Sequence, residues 1–293
     1  MTINDYIKNK RIELGLSQEY VAELSGLSVR GYQSIEYSQY NPKIETLEKL
    51  SFVFKEDLIK KLYELRTNDF LSYRYNYNLA VKEIRNVEEV RLLRNRIKLN
   101  LSNISTDVYK DWTDQLVKYL DGKIKYFEAN YSASKILLIE SLKLTIPDFE
   151  IQNIEKHYFS ELEYKILILL SFIYTKFNDK KMRLYIMQKL YSTVIPSNEL
   201  YSQIVYNYAY SLYQIDKAEE AQIVFEKGIK DLQKNFHPRI HMLYFGLAIC
   251  KEKLGDSTWK NNVDYAIQLS REFDNGNYVD QFKKIVSNIE KNY

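Results

Sequence analysis

Residues 16–36 read "LSQEYVAELSGLSVRGYQSIE", and their punctuation decides how the first part of the chain folds. Ser17 is a preferred N-cap, Gln18 and Glu19 occupy the first turn behind it, and Val21, Ala22 and Leu24 supply an apolar face. Gly26 falls where a tight turn between two helices needs positive φ. Ser28 then caps a second helix, in which Tyr32, Ile35 and Glu36 recur at i, i+3, i+4 spacing. Gly31 breaks that pattern, at a cost of roughly 1 kcal/mol against alanine. Upstream, Ile3, Tyr6, Ile7, Ile12, Leu14 and Leu16 predict a helix stopped by Gly15. Downstream, a loop with Pro42 precedes Ile44, Leu47, Leu50 and Phe54 of another amphipathic helix.

Composition sets the wider frame. A chain of 293 residues suits two domains of ordinary size. Only 8 Gly and 4 Pro leave few breakers, so the expected fold class is all-α. The longest apolar run, residues 166–174, is too short to span a bilayer, and no secretory leader opens the chain. One cysteine, Cys250, excludes an internal disulfide and fits a reducing compartment. The expected location is the cytoplasm, with no membrane partner. Net charge is +3, and residues 1–66 carry ten charges of each sign, so any nucleic-acid binding there must come from one face.

The stretch from residue 7 to residue 50, with its Ser-Gln start, Ala22, Gly26, Ile35 and Glu36, resembles the helix-turn-helix of the phage repressor and Cro (Xre) type. The resemblance implies a five-helix DNA-binding domain over residues 1–66 whose third helix enters the major groove. It implies that Val29, Arg30, Gln33 and Ser34 face base edges, while Gln18 and Ser28 meet phosphates. Asn41, Lys43, Lys8 and Lys10 flank that side and would add salt-dependent affinity. Arg11 and Glu36 correspond to the family's interior pair. The family commonly has a glycine and basic residues after this glutamate, whereas this chain has "YSQY" at 37–40.

After an expected linker at 67–78, residues 79–293 read as recurring helical hairpins. In "VYNYAYSLYQIDKAEEAQIVFEKGI", Val205, Tyr208, Ala209 and Leu212 fit the first helix of a tetratricopeptide repeat, and Ala221, Phe225 and Gly228 fit its second. Ala248 follows Ala209 by 39 positions and Ser171 precedes it by 38, which sets two further units; a fourth is expected near 111–128. Such units stack into a right-handed superhelix whose concave face suits an extended peptide. Lys165, Phe172, Lys176, Gln203, Tyr206, Asn207, Tyr210, Gln214 and Phe245 are placed on that face, with Asn207 the residue best suited to clamp a peptide backbone. Between the two parts, Arg85, Arg91, Arg94, Arg96 and Lys98 give a basic helix.

Catalytic signatures are lacking. His237 and His241 have i, i+4 spacing, but Pro238 stands between them and no glutamate adjoins His237. His157 stands alone. The chain is expected to need no cofactor or metal and to be no enzyme. As a whole it resembles the cytosolic peptide-pheromone receptors of Gram-positive bacteria, the Rgg, PlcR and ComR group. That resemblance implies a homodimeric transcription regulator of quorum-sensing type, partnered by operator DNA with two half-sites and by a short signalling peptide. The competing expectation is an adaptor whose repeats bind a partner protein, its helix-turn-helix vestigial or dimerising.

Overall fold

The computed structural model describes residues 2–291 except 38–40, 66–68, 83, 85, 102–106 and 234–238. Ser38, Gln39, Tyr40, Arg85, His237 and Pro238 therefore lie outside the described residues. Every regular element among those described is helical. They divide into two compact units, residues 1–117 and 118–293.

In the first unit, α1 (Ile3–Glu13) starts from a capping box. The Thr2 hydroxyl accepts from the Asp5 N–H at 3.1 Å, and the Asp5 carboxylate accepts from the Thr2 N–H at 2.8 Å. The α2 helix (Gln18–Ser25) is capped by Ser17, whose hydroxyl accepts from Tyr20 N–H at 3.1 Å, and it ends at Gly26 with φ +65°. This left-handed residue turns the chain into α3 (Val29–Tyr37), followed by α4 (Ile44–Phe54) and α5 (Leu58–Leu65). Ile3, Ile7, Val21, Ala22, Tyr32, Leu47, Leu50, Phe54, Leu58 and Leu62 bury between these five helices. Four residues read as core are instead exposed: Ile12 (56%), Leu14 (46%), Leu24 (55%) and Ile44 (48%). In α2 the inward position falls to Ser25, whose hydroxyl donates to the Val21 carbonyl at 2.7 Å, while Leu24 faces outward. Two more helices, α6 (Asp69–Val81) and α7 (Val87–Leu101), follow, so most of the stretch expected as a linker is helical.

The α8 helix (Asp107–Phe127) runs into the second unit, where α9 (Tyr131–Lys143) and a short 3-10 helix (Ile151–Lys156) precede α10 (Glu161–Lys176) and α11 (Lys180–Thr193). Then come α12 (Tyr201–Tyr213), α13 (Ala218–Gln233), α14 (Ile240–Lys253), α15 (Trp259–Phe273) and α16 (Val279–Glu290). From α9 on, each helix packs on the next along the chain apart from the 3-10 helix, which lies on α11; α12 also packs on α14, the first helix of the following hairpin. Ser171, Ala209 and Ala248, whose spacing defined the repeats, are each fully buried. No described helix is long and apolar enough to cross a membrane.

Small residues set how closely the hairpins approach. A Cβ on Gly228 of α13 would stand 2.6 Å from Val205 Cγ1 of α12, and one on Gly246 of α14 would stand 2.3 Å from Phe225 Cζ of α13. The Phe225 ring is 1% exposed, and interiors packed to crystal-like density leave a buried ring little room to shift. Gly246→Ala is expected to destabilise the repeat unit by about 1–3 kcal/mol, read as a lower denaturant midpoint at unchanged slope.

Candidate nucleic-acid interface and repeat-domain face

The polar centre of the first unit is the carboxylate of Glu36, whose side chain is wholly buried. Arg11 of α1 donates to it twice, from Nε to Oε1 at 2.5 Å and from Nη2 to Oε2 at 3.0 Å, and its Nη1 donates to the Leu16 carbonyl at 3.0 Å. Gln18 of α2 donates its Nε2 to Glu36 Oε2 at 2.7 Å, and Gln33 of α3 donates in turn to Gln18 Oε1 at 3.2 Å. Burial alone would push the Glu36 carboxyl up; the hydrogen bonds from Arg11 and Gln18 outweigh it and hold the group below its ordinary value of 4.5. Asn4, buried at 3%, adds a tie by donating to the Ile35 carbonyl at 2.6 Å. The signal for it was an asparagine between the inward residues Ile3 and Ile7 of α1.

This network orients the outer side of α3. Ser28, Val29, Arg30 and Ser34 are exposed, and Gln33 is half-buried against Gln18. Gln18 thus holds α3 to α2 as well as standing at a helix N-terminus. The Ser28 hydroxyl accepts from the Gly31 N–H at 3.0 Å, and a Cβ on Gly31 would lie 2.9 Å from that same oxygen. Asn41 and Lys43 are exposed. Lys8 lies over the Tyr37 ring at 4.7 Å from its centroid, and Lys10 pairs with Glu56 at 3.4 Å. In the basic helix α7, Arg91 pairs with Glu88, and Arg96 lies over the Tyr75 ring at 4.9 Å.

On the repeat unit the structure gathers part of the expected face. Tyr206 and Tyr210 of α12 stack with centroids 6.0 Å apart, Tyr210 and Tyr213 continue the stack at 6.1 Å, and Gln203 and Gln214 stand half-buried at either end of the helix. Burial, then the neighbouring Tyr210, push the Tyr206 hydroxyl up to about 12. On α10, Phe172 is half-buried, Lys176 is exposed and lies 5.9 Å from the Tyr131 ring centroid, and Lys165 pairs with Glu161 at 3.5 Å. Burial draws the Lys165 ammonium below its usual value against the opposing pull of Glu161.

Two expected face residues are corrected. Phe245 is 1% exposed and stacks on Phe282 of α16 at 3.9 Å, so it belongs to the core. Asn207 is 7% exposed, and its Nδ2 donates to the Gln203 carbonyl one turn back at 2.8 Å, which directs that donor to its own helix. Cys250 is buried, which pushes its thiol up to about 12. His241 is buried against the Tyr278 ring at 5.4 Å.

One group at this face was not singled out in the sequence. Arg183 of α11 is 5% exposed; its Nη1 donates to Thr175 Oγ1 at 3.1 Å and to Gln214 Oε1 at 3.0 Å, and the guanidinium lies 5.4 Å from the Tyr210 ring centroid. Burial lowers its pKa, opposed by the nearby tyrosines Tyr210 and Tyr206.

Residues 7–59 match a family model described as helix-turn-helix. No curated protein sequence matches the chain. Among solved structures, the chain is similar to Bacillus thuringiensis PlcR in its apo form, at 15% identity and TM-score 0.58 over 96% of this chain and 98% of that one. It is similar also to the same protein in complex with the peptide PapR7 and DNA, at 15% identity and TM-score 0.55 over 96% and 98%. ComR from S. thermophilus, in complex with DNA and its signalling peptide ComS, is similar at 16% identity and TM-score 0.50 over 99% and 100%. The chain therefore has an N-terminal helix-turn-helix domain followed by a helical repeat domain, in the fold of PlcR and ComR.

Because the Glu36 carboxyl titrates below its ordinary value in the folded chain, its contribution is fully present above 4.5 and is lost as pH falls through the lower, folded value. Glu36→Gln leaves the buried Arg11 charge without its counter-charge and is expected to cost about 3–5 kcal/mol at pH 7. The variant is also expected to lose much of the wild type's decline in stability below pH 4.5, measured by denaturant titrations across pH.

Proposed function

We propose that this chain is a transcription regulator that binds operator DNA through α3 and is controlled by a short signalling peptide held against its repeat domain. The observation that carries the DNA arm is the outer side of α3. Val29, Arg30 and Ser34 project to solvent while the Gln33–Gln18–Glu36–Arg11 chain fixes the helix from behind. A side chain can discriminate bases only if the helix carrying it is held in register, and this network supplies that support. Arg30 suits bidentate reading of guanine, and Gln33 suits adenine. Ser28 and Gln18 stand at helix N-termini where phosphate binds, with Asn41 and Lys43 beside them. Residues 1–66 are assigned to DNA binding and the repeats from residue 79 to peptide binding and dimerisation. A symmetric dimer reads two half-sites about one helical turn apart.

The likeness to PlcR and ComR, each solved with DNA and a peptide, supports the peptide arm, as does the tyrosine-rich face around Tyr206 and Tyr210. A peptide that binds one arrangement of the protein better than another shifts the population toward it.

Sequencing of the DNA fragments retained by the full chain tests the reading. Wild type is expected to enrich a symmetric site, in an amount that changes when culture supernatant of its host is added. Arg30→Ala with Gln33→Ala is expected to abolish the enrichment, since each base-edge contact contributes roughly 1–3 kcal/mol of discrimination. Enrichment of the same site by the double variant, with an unchanged salt dependence, would overturn the assignment of α3.

A further inference from the structure

We propose that Arg183 is a carboxylate-binding subsite of the repeat domain, which seats an acid group of the bound peptide; this rests on the peptide-binding reading above. Arg183 is 5% exposed, yet no carboxylate among the described residues lies within ion-pair distance of it. A guanidinium does not shed its charge at neutral pH, and buried charges in folded proteins are ordinarily paired. Its partners here are two neutral oxygens, Thr175 Oγ1 and Gln214 Oε1, and both hydrogen bonds leave from Nη1. The buried Nε has no partner among the described residues.

The unused edge has a definite chemistry. Nη2, and Nε buried beside it, carry the N–H groups that no acceptor among the described residues takes, and these are the donors with which a guanidinium holds a carboxylate. Three elements hold the fork still: Thr175 at the end of α10, Gln214 just past α12, and the Tyr210 ring. Lys180 donates to the Gln214 carbonyl at 3.1 Å and helps to hold that residue in place. A phosphate or sulfate would fit the same charge, but the neighbouring tyrosines of a helical repeat favour an extended peptide, whose every copy ends in a carboxylate.

The test exposes the full-length protein to a pool of randomised octapeptides made in two forms, with a free C-terminal carboxylate and with a C-terminal amide, and sequences what is retained. We expect the free-acid pool to be retained roughly 10- to 100-fold more strongly, the range given by a hydrogen-bonded charge pair. Arg183→Met should erase that preference, and Arg183→Lys, which keeps the charge and loses the fork, should restore only part of it. The thermal midpoint of free Arg183→Met should hold or rise, because an incompletely paired buried charge has been replaced by an apolar chain of similar length. If amidation has no effect but every retained peptide carries Asp or Glu, and Arg183→Met loses those peptides, the seat takes a side-chain carboxylate and the proposal stands. Equal retention of both pools with no acidic enrichment overturns the subsite and leaves the peptide reading intact. Retention of neither pool by wild type overturns the peptide reading and the subsite with it. The comparison of pools on wild type needs no variant and decides the matter even if Arg183→Met fails to fold.

Discussion

The helix-turn-helix of this chain depends on one buried carboxylate. Glu36 is where α1, α2 and α3 meet: Arg11, Gln18 and, through Gln18, Gln33 all converge on its two oxygens. Removing an ionised carboxylate from water costs several kcal/mol, and only a full set of donors offsets that. The arrangement therefore gives orientation more than stability. A hydrophobic contact at this point would tolerate sliding between helices, whereas a bidentate guanidinium and an amide at 2.5–3.0 Å fix angles as well as distances. The exposed side chains of α3 take their positions from that fixed frame.

Gly31 acquires a reason from the same region. Close approach of backbone to DNA is one use for a missing Cβ, but the structure places the capping hydroxyl of Ser28 in the space a Cβ would take. Alanine would gain roughly 1 kcal/mol of helix propensity and put at risk a cap worth about the same. The two terms nearly cancel, so the free domain has little to gain from replacing this glycine.

What the sequence made legible was whatever is encoded locally. Ser17 and Ser28 as caps and Gly26 at positive φ are each readable within a few residues and stand in the structure as the local rule requires, and the 39-residue spacing of Ala209 and Ala248 is readable from the repeat. Periodicity alone did not distinguish the faces of a short helix. Leu24 and Ser25 flank the edge of the inward face, and the packing of α2 puts Ser25 inside, where the Val21 carbonyl accepts its hydroxyl. Phe245 was misplaced for a different reason. A first helix of a repeat touches its own hairpin on one side and the next unit on another, so an aromatic there serves the core or the open face depending on whether a later helix reaches it; here Phe282 of α16 arrives to cover it. Arg183 was not legible at all, because "KKMRLYIMQ" reads as an ordinary solvated helix and the oxygens that receive its guanidinium lie 8 and 31 residues away.

The two units thus hold their arginines in opposite states, and the difference bears on where a signal can act. Arg11 is met by a carboxylate supplied by its own chain, so no ligand can improve its position. Arg183 is buried against neutral oxygens, and the free protein carries part of the desolvation cost of that charge. An acid group that completes the pairing lowers the free energy of the bound form specifically, and a ligand shifts a conformational equilibrium only by such differential affinity. One hydrogen bond to a charged group contributes about 1.5–3 kcal/mol, less than the roughly 5.5 kcal/mol needed to carry a two-state equilibrium from 1:99 to 99:1, so on the proposed reading this seat biases the equilibrium and a complete switch needs further contacts.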